Sequence, residues 1–208
     1  MKNKLVFFIG ILGAFLFVIT SLIGGFLIEG YDTFNQFISE TYAIDTEYGL
    51  ILRLFGFIPS GILLTIFCFL SAHYFKTNKW SRIGFYGIGI FYGVSTIVVS
   101  IFPCDSGCNR ELINPSTSQL IHNLTGLFTY VFVPISIVLT GFGAKSIGYN
   151  SFSLQSLALG SIGFFFVVVL ITNTNSDYVG LLQRTVETTF ILWIVVCALT
   201  VKNTKASR

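Results

Sequence analysis

Residues 5–28 read LVFFIGILGAFLFVITSLIGGFLI, a run without one charged side chain. As a helix, 24 residues rise about 36 Å, and about 20 apolar residues cross the hydrocarbon core of a bilayer. A cleaved signal peptide has an apolar core of roughly 7–15 residues followed by a small-residue cleavage site. This run is longer, and Ser21 to Gly25 makes a poor cleavage site, so it is read as a retained membrane helix. Comparable stretches lie near 49–72, 83–103, 119–142, 154–172 and 179–201. The fifth, with Phe164-Phe165-Phe166-Val167-Val168-Val169-Leu170, is the most apolar; the sixth is interrupted early by Gln183, Arg184 and Glu187. The expected fold is all-α, a compact polytopic bundle of six transmembrane helices forming a single domain over 1–208. Composition agrees: 53% of residues are hydrophobic and 10% charged, where a soluble domain carries roughly 25% charged residues. No basic run interleaved with aromatics points to nucleic acid.

Lys and Arg set the expected orientation. Lys2 and Lys4 precede the first span, Lys76, Lys79 and Arg82 lie between the second and third, and Lys145 lies between the fourth and fifth. Lys202, Lys205 and Arg208 follow the sixth. All of these fall on one side, which is read as cytoplasmic, with both termini there. Arg53, Arg110, Arg184 and all nine acidic residues fall at or near the opposite side. The expected location is a cell membrane, the cytoplasmic membrane of a bacterium or archaeon.

The connections on the outer side are the longer ones, about 29–48 and 104–118, and long loops carry function more often than short ones. Thr33 to Thr41 reads as a short interfacial helix with Phe34, Phe37 and Ile38 on one face and Gln36, Ser39 and Glu40 on the other. Pro59 and Pro134 predict kinks. Gly89-Ile90-Phe91-Tyr92-Gly93 lets the third span approach a neighbour closely.

Ionisable groups inside a membrane are costly and therefore informative. Arg53, Arg184 and Glu187 lie within one to two turns of the outer helix ends, and Gln183 and Arg184 lie four and three residues before Glu187, on its face. Asp105 closes the third span, and His122 and Asn123 open the fourth. Two readings compete. In one, Arg184 or Arg53 pairs with Glu187 and locks the helices. In the other, these groups converge on one outward-facing pocket: Arg53 and Arg184, with Gln183, Ser39, Glu40 and Asn123, bind a head group, and Asp105, His122 and Glu187 supply acids and bases. Ser39-Glu40 would set a hydroxyl beside an acid, and Asp105 could orient His122. Asn123-Leu124-Thr125 matches a glycosylation acceptor but lies within a helix and is set aside.

Cys104-Asp105-Ser106-Gly107-Cys108 lies in an outer loop. A disulfide between Cys104 and Cys108 is the plain reading. A single zinc ion held by both cysteines with Asp105 and His122 is an alternative of acceptable ligand types at an unfamiliar spacing, and a thiol pair exchanging with a partner is another. No metal site is assigned. Cys68 and Cys197 read as packing residues.

Three segments carry a family resemblance: Gln36-Phe37-Ile38-Ser39-Glu40 after the first span, Phe102-Pro103-Cys104-Asp105 with His122 beyond it, and Gly180-Leu181-Leu182-Gln183-Arg184 followed by Trp193. Over nearly its whole length the chain resembles the prokaryotic membrane proteins grouped as domain of unknown function 998. The resemblance implies a compact six-helix bundle in the cytoplasmic membrane and no established activity. The family's polar positions coincide with Ser39, Glu40, Asp105, His122, Gln183 and Arg184, and Cys104 and Cys108 are a local variation on its Pro-x-Asp pattern.

The leading functional reading is a protein that binds, and by Asp105 and His122 hydrolyses or transfers, a lipid or lipid-linked head group. Membrane hydrolases that hold zinc through several histidines offer the same logic, but His73 and His122 are too few for that arrangement. A non-enzymatic lipid sensor or accessory subunit of another membrane protein is the alternative. A small-molecule transporter ranks last, because transporters place their sites near the midplane. The expected partners are membrane lipids and a membrane protein, with no nucleic acid.

Overall fold

A computed structural model describes residues 2–75 and 78–204. Lys76, Lys205 and Arg208, used above for orientation, lie outside the described residues. Six helices are each long and apolar enough to cross a bilayer: α1 (Lys2–Leu27), α2 (Gly49–Ser71), α3 (Lys79–Ile101), α4 (Thr117–Ser146), α5 (Asn150–Thr172) and α6 (Val179–Asn203). Among the described residues there is no strand. Lipid cannot hydrogen-bond a backbone, so each span must satisfy its own amides, which helices do. The protein is a multi-pass membrane protein of the all-α class.

Each helix packs against its neighbours in sequence, and α6 returns to pack against α1, so the bundle is a closed ring. Asn3 Nδ2 donates to Val201 O (3.1 Å) and Thr204 O (2.7 Å), tying the two ends of the described chain together. Helix starts follow local chemistry. Asn78 caps α3 by accepting from Trp80 N (2.8 Å), and Ser116 caps α4 by accepting from Gln119 N (3.0 Å).

The end of the ring nearest the termini is plugged by aromatics. Phe75 contacts Phe85 and Phe152, with centroids 5.1 and 5.3 Å away, and Phe85 and Phe152 both reach Trp193. Trp193 is fully buried and its Nε1 donates to Ser156 Oγ at 2.9 Å, so its polar edge is satisfied. The opposite end is built differently and holds the polar groups.

Two helices contain π turns that the sequence does not predict. In α2, Arg53–Phe57 forms one immediately before Pro59, and Ile58 N–H donates five residues back to Arg53 O. In α3, Gly89–Val94 forms the second. The Gly89/Gly93 pair does allow close packing: Gly93 lies directly against Thr65, and Gly61 faces Gly93 O. Helix α4 continues unbroken through Pro134.

The first long connection departs from its expected form. In place of a helix over Thr33–Thr41 there is a 3-10 helix at Ile38–Tyr42. Ser39 and Glu40, expected on its polar face, are buried, whereas Phe34 is exposed. The reason lies in polar satisfaction: Glu40 accepts from Phe37 N (2.9 Å), Gln36 Nε2 (3.0 Å) and Arg110 Nη2 (2.7 Å), so it points inward to donors.

Candidate functional site

The end of the ring opposite the termini is covered by the two long connections. Arg184 staples the first to α6: Nη1 donates to Thr33 O (2.8 Å), Gln36 O (2.9 Å) and Gly180 O (3.1 Å), and Nη2 donates to Tyr31 Oη. Burial against this staple raises the Tyr31 phenol above its ordinary value, partly offset by the Arg184 charge. Arg110–Glu40 joins the two connections, and Arg110 also lies over the Phe37 ring, 4.8 Å from its centroid. Ile44 N donates to Cys104 O at 3.0 Å.

Cys104 and Cys108 are joined by a disulfide. Their sulfurs are therefore bonded to each other and are not thiolates that could ligate zinc. Gly107 (φ 58°) and Cys108 (φ 55°) turn the chain in the left-handed region, where glycine is at ease and cysteine is held by its crosslink. The Ser39 hydroxyl donates to Cys108 Sγ at 3.2 Å, and Ser39 O lies 3.6 Å from Cys104 Sγ. Asp105 Oδ1 accepts from Ser116 Oγ (2.5 Å) and Oδ2 accepts from Ser116 N (3.0 Å). These bonds hold its carboxyl below the ordinary range. Gln119, fully buried, completes the cover: its Oε1 accepts from Asp105 N (2.7 Å), and its Nε2 donates to Cys108 O (3.1 Å) and Asn123 Oδ1 (2.7 Å).

Beneath this cover is a cavity of about 360 Å³. Its floor carries Glu187, eight residues into α6, or about 12 Å below the helix start. Glu187 Oε2 accepts from Tyr92 Oη (2.9 Å) and Oε1 accepts from Tyr130 Oη (3.0 Å). The proton directions are set from one end of the chain of bonds. Ile38 N–H donates to Gln183 Oε1 (2.7 Å), so Gln183 Nε2 faces Tyr130 Oη and donates to it (2.8 Å). Tyr130 then has its own proton for Glu187. His122 is buried on the cavity wall, with Nδ1 3.0 Å from Phe102 O; a carbonyl only accepts, so Nδ1 carries the proton. A second cavity, of about 540 Å³, lies on the flank between α1 and α6, and Phe17, Ile38 and Glu187 line both.

The structure divides the residues expected to share one pocket. Ser39, His122, Asn123, Gln183 and Glu187 line the covered cavity. Arg184 lines the flank cavity, and Arg53, Glu40 and Asp105 line neither. Arg184 and Arg53 do not pair with Glu187. Arg53 Nε donates to Gly49 O (3.2 Å) and Nη1 to Ser100 O (3.4 Å), and the ion pair among the described residues is Arg110–Glu40. Asp105 is engaged by Ser116 and does not orient His122. The guanidinium groups that suit a phosphate are thus occupied by carbonyls: Arg184 by those of the first connection, whose backbone needs nearby donors, and Arg53 by those of Gly49 and Ser100 at helix ends.

Sequence reasoning passed over Tyr92, Tyr130, Arg110 and Gln119. The two tyrosines did leave a signal, since a phenol inside a span needs a partner for its hydroxyl. Arg110 and Gln119 left none, because an Arg in a loop and a Gln in the first turn of a helix are ordinary. No curated protein and no solved structure matches the chain. A family model described as "Protein of unknown function (DUF998)" matches residues 11–200, a stretch that includes every element of this site, and the chain belongs to that family.

Proposed function

We propose that the protein binds the head group of a lipid or lipid-linked amphiphile in the covered cavity. The observation that carries this reading is Glu187, a carboxylate set inside a span and held by two tyrosine hydroxyls against an open volume. A carboxylate kept in such a place is costly unless it has a task or a partner, and no cation among the described residues pairs with it. Access from the bilayer supports the same view: Leu127 and Ile171 line the cavity and are exposed on the outer surface of the bundle. The volume is that of a small-ligand site. The Lys and Arg distribution favours an outer-side position for the cover in a cytoplasmic membrane.

Binding is favoured over turnover by the positions of the candidate acids and bases. Asp105 serves the turn before α4 and is not the partner of His122, whose Nδ1 is oriented by a backbone carbonyl instead, so the acid–base pair expected for turnover is not assembled. The test is native mass spectrometry of protein taken from nanodiscs, wild type beside Glu187→Gln, with His73→Ala as a control at the other end. A lipid retained by wild type and His73→Ala and lost from a folded Glu187→Gln protein is expected. An empty wild-type protein, or a lipid retained equally in all three, overturns the reading.

A further inference from the structure

We infer that the head group held here is cationic, an alkylammonium whose hydrocarbon chain lies in the flank cavity between α1 and α6; this rests on the cavity being a head-group site. Three observations converge. The first is charge. Glu187 and Arg110 are the charged side chains that line the covered cavity, and Arg110 is neutralised by Glu40 at 2.7 Å. Glu187 is left as the lining acid without a cation partner, since Arg184 in the adjoining flank cavity donates to carbonyls and Tyr31, and both Glu187 oxygens accept from hydroxyls. An ammonium would supply the missing positive charge, whereas a phosphate would meet a carboxylate with no free guanidinium to offset it.

The second is the wall. Tyr42, Phe57, Phe17 and Tyr92 line the cavity and form a continuous series of ring contacts, with centroids 4.6, 5.6 and 5.7 Å apart in that order. Aromatic rings around a carboxylate are the chemistry that receives an ammonium, through attraction to the ring quadrupole at centroid distances within about 6 Å. Quaternary ammonium groups gain most, since they have no N–H protons for the hydrogen bonds a wetter site would offer.

The third is continuity. Glu187, Phe17 and Ile38 line both cavities. The flank cavity continues from them past Val18, Leu22 and Leu192, apolar side chains exposed on the outside of the bundle. A chain attached to an ammonium at Glu187 has an apolar path outward there, which commits the occupant to an amphiphile.

The test uses wild-type protein in nanodiscs and ligands that share a twelve-carbon chain, each below its micellar concentration: dodecyltrimethylammonium, dodecyl maltoside and dodecyl phosphate, with tetramethylammonium as the chainless form. Binding is read by titration calorimetry. Dodecyltrimethylammonium is expected to bind at least tenfold more tightly than the other three. Phe57→Leu is expected to weaken it severalfold and leave the maltoside unchanged, and Glu187→Gln to weaken it about tenfold. Tighter or equal binding of the maltoside or phosphate overturns the cationic assignment and leaves the head-group site standing. Equal binding of tetramethylammonium overturns the place given to the chain and identifies a soluble amine as the ligand. Absence of binding by all four removes both proposals.

Discussion

Glu187 shows how the meaning of one side chain depends on its neighbours. Three residues after Arg184 on the same helix, it has the spacing of a local ion pair, yet Arg184 turns toward loop carbonyls and Glu187 toward two phenols. Asp105 is the opposite case, a residue with the look of a catalytic acid that serves a turn. Its carboxyl is held low by Ser116 N and Oγ, so the sign is that of a depressed acid. The stabilisation it gives the turn is complete above the ordinary carboxyl range and is lost as pH falls through the lower folded value. Hydrogen exchange over residues 104–118, corrected for intrinsic rates, is expected to show protection falling as pH drops below about 4. Asp105→Asn is expected to show weaker protection at neutral pH and no such fall. Acid behaviour identical to wild type in that variant would count against this role.

Among elements, the contact between α2 and α3 matters most for the site, because both helices bring a ring to the cavity wall from a π turn, Phe57 and Tyr92. A π turn inserts an extra residue into the helical repeat and rotates the side chains beyond it, a recurrent feature of functional sites. The helices approach closely enough that a Cβ on Gly61 would sit 2.7 Å from Gly93 O and 3.1 Å from Ile97 N, both backbone atoms that cannot swing aside. Gly61→Ala is therefore expected to destabilise the bundle by about 1–3 kcal/mol and to lower the thermal midpoint in detergent. An unchanged midpoint would mean the two helices can part without cost.

At the scale of the whole molecule, the ring of helices has one end filled by aromatic packing around Trp193 and another end hollowed and covered by loops. That asymmetry fits a site facing one side of the membrane. The Lys and Arg pattern predicts the outer side for the covered end. In sealed right-side-out vesicles, an epitope tag fused after Arg208 is expected to resist external protease, and a cysteine replacing Ser176 is expected to react with an impermeant maleimide. The reverse pattern would invert the orientation and the side from which the cavity is reached.

By itself the sequence determined the class and the number of spans, because a bilayer imposes length and apolarity on each segment independently of its neighbours. It also marked the end of the bundle where polar groups gather. What only the tertiary structure decided was which of those groups meet. Arg53, Arg184 and Asp105 sit at the expected depth, but their hydrogen bonds go to backbone and loop groups whose path no local pattern records. Tyr92 and Tyr130, from different helices, meet on one carboxylate because the ring closes around it and the π turn of α3 sets the phase of Tyr92. Contacts between residues distant in sequence depend on that closure, and a segment read alone carries no information about it.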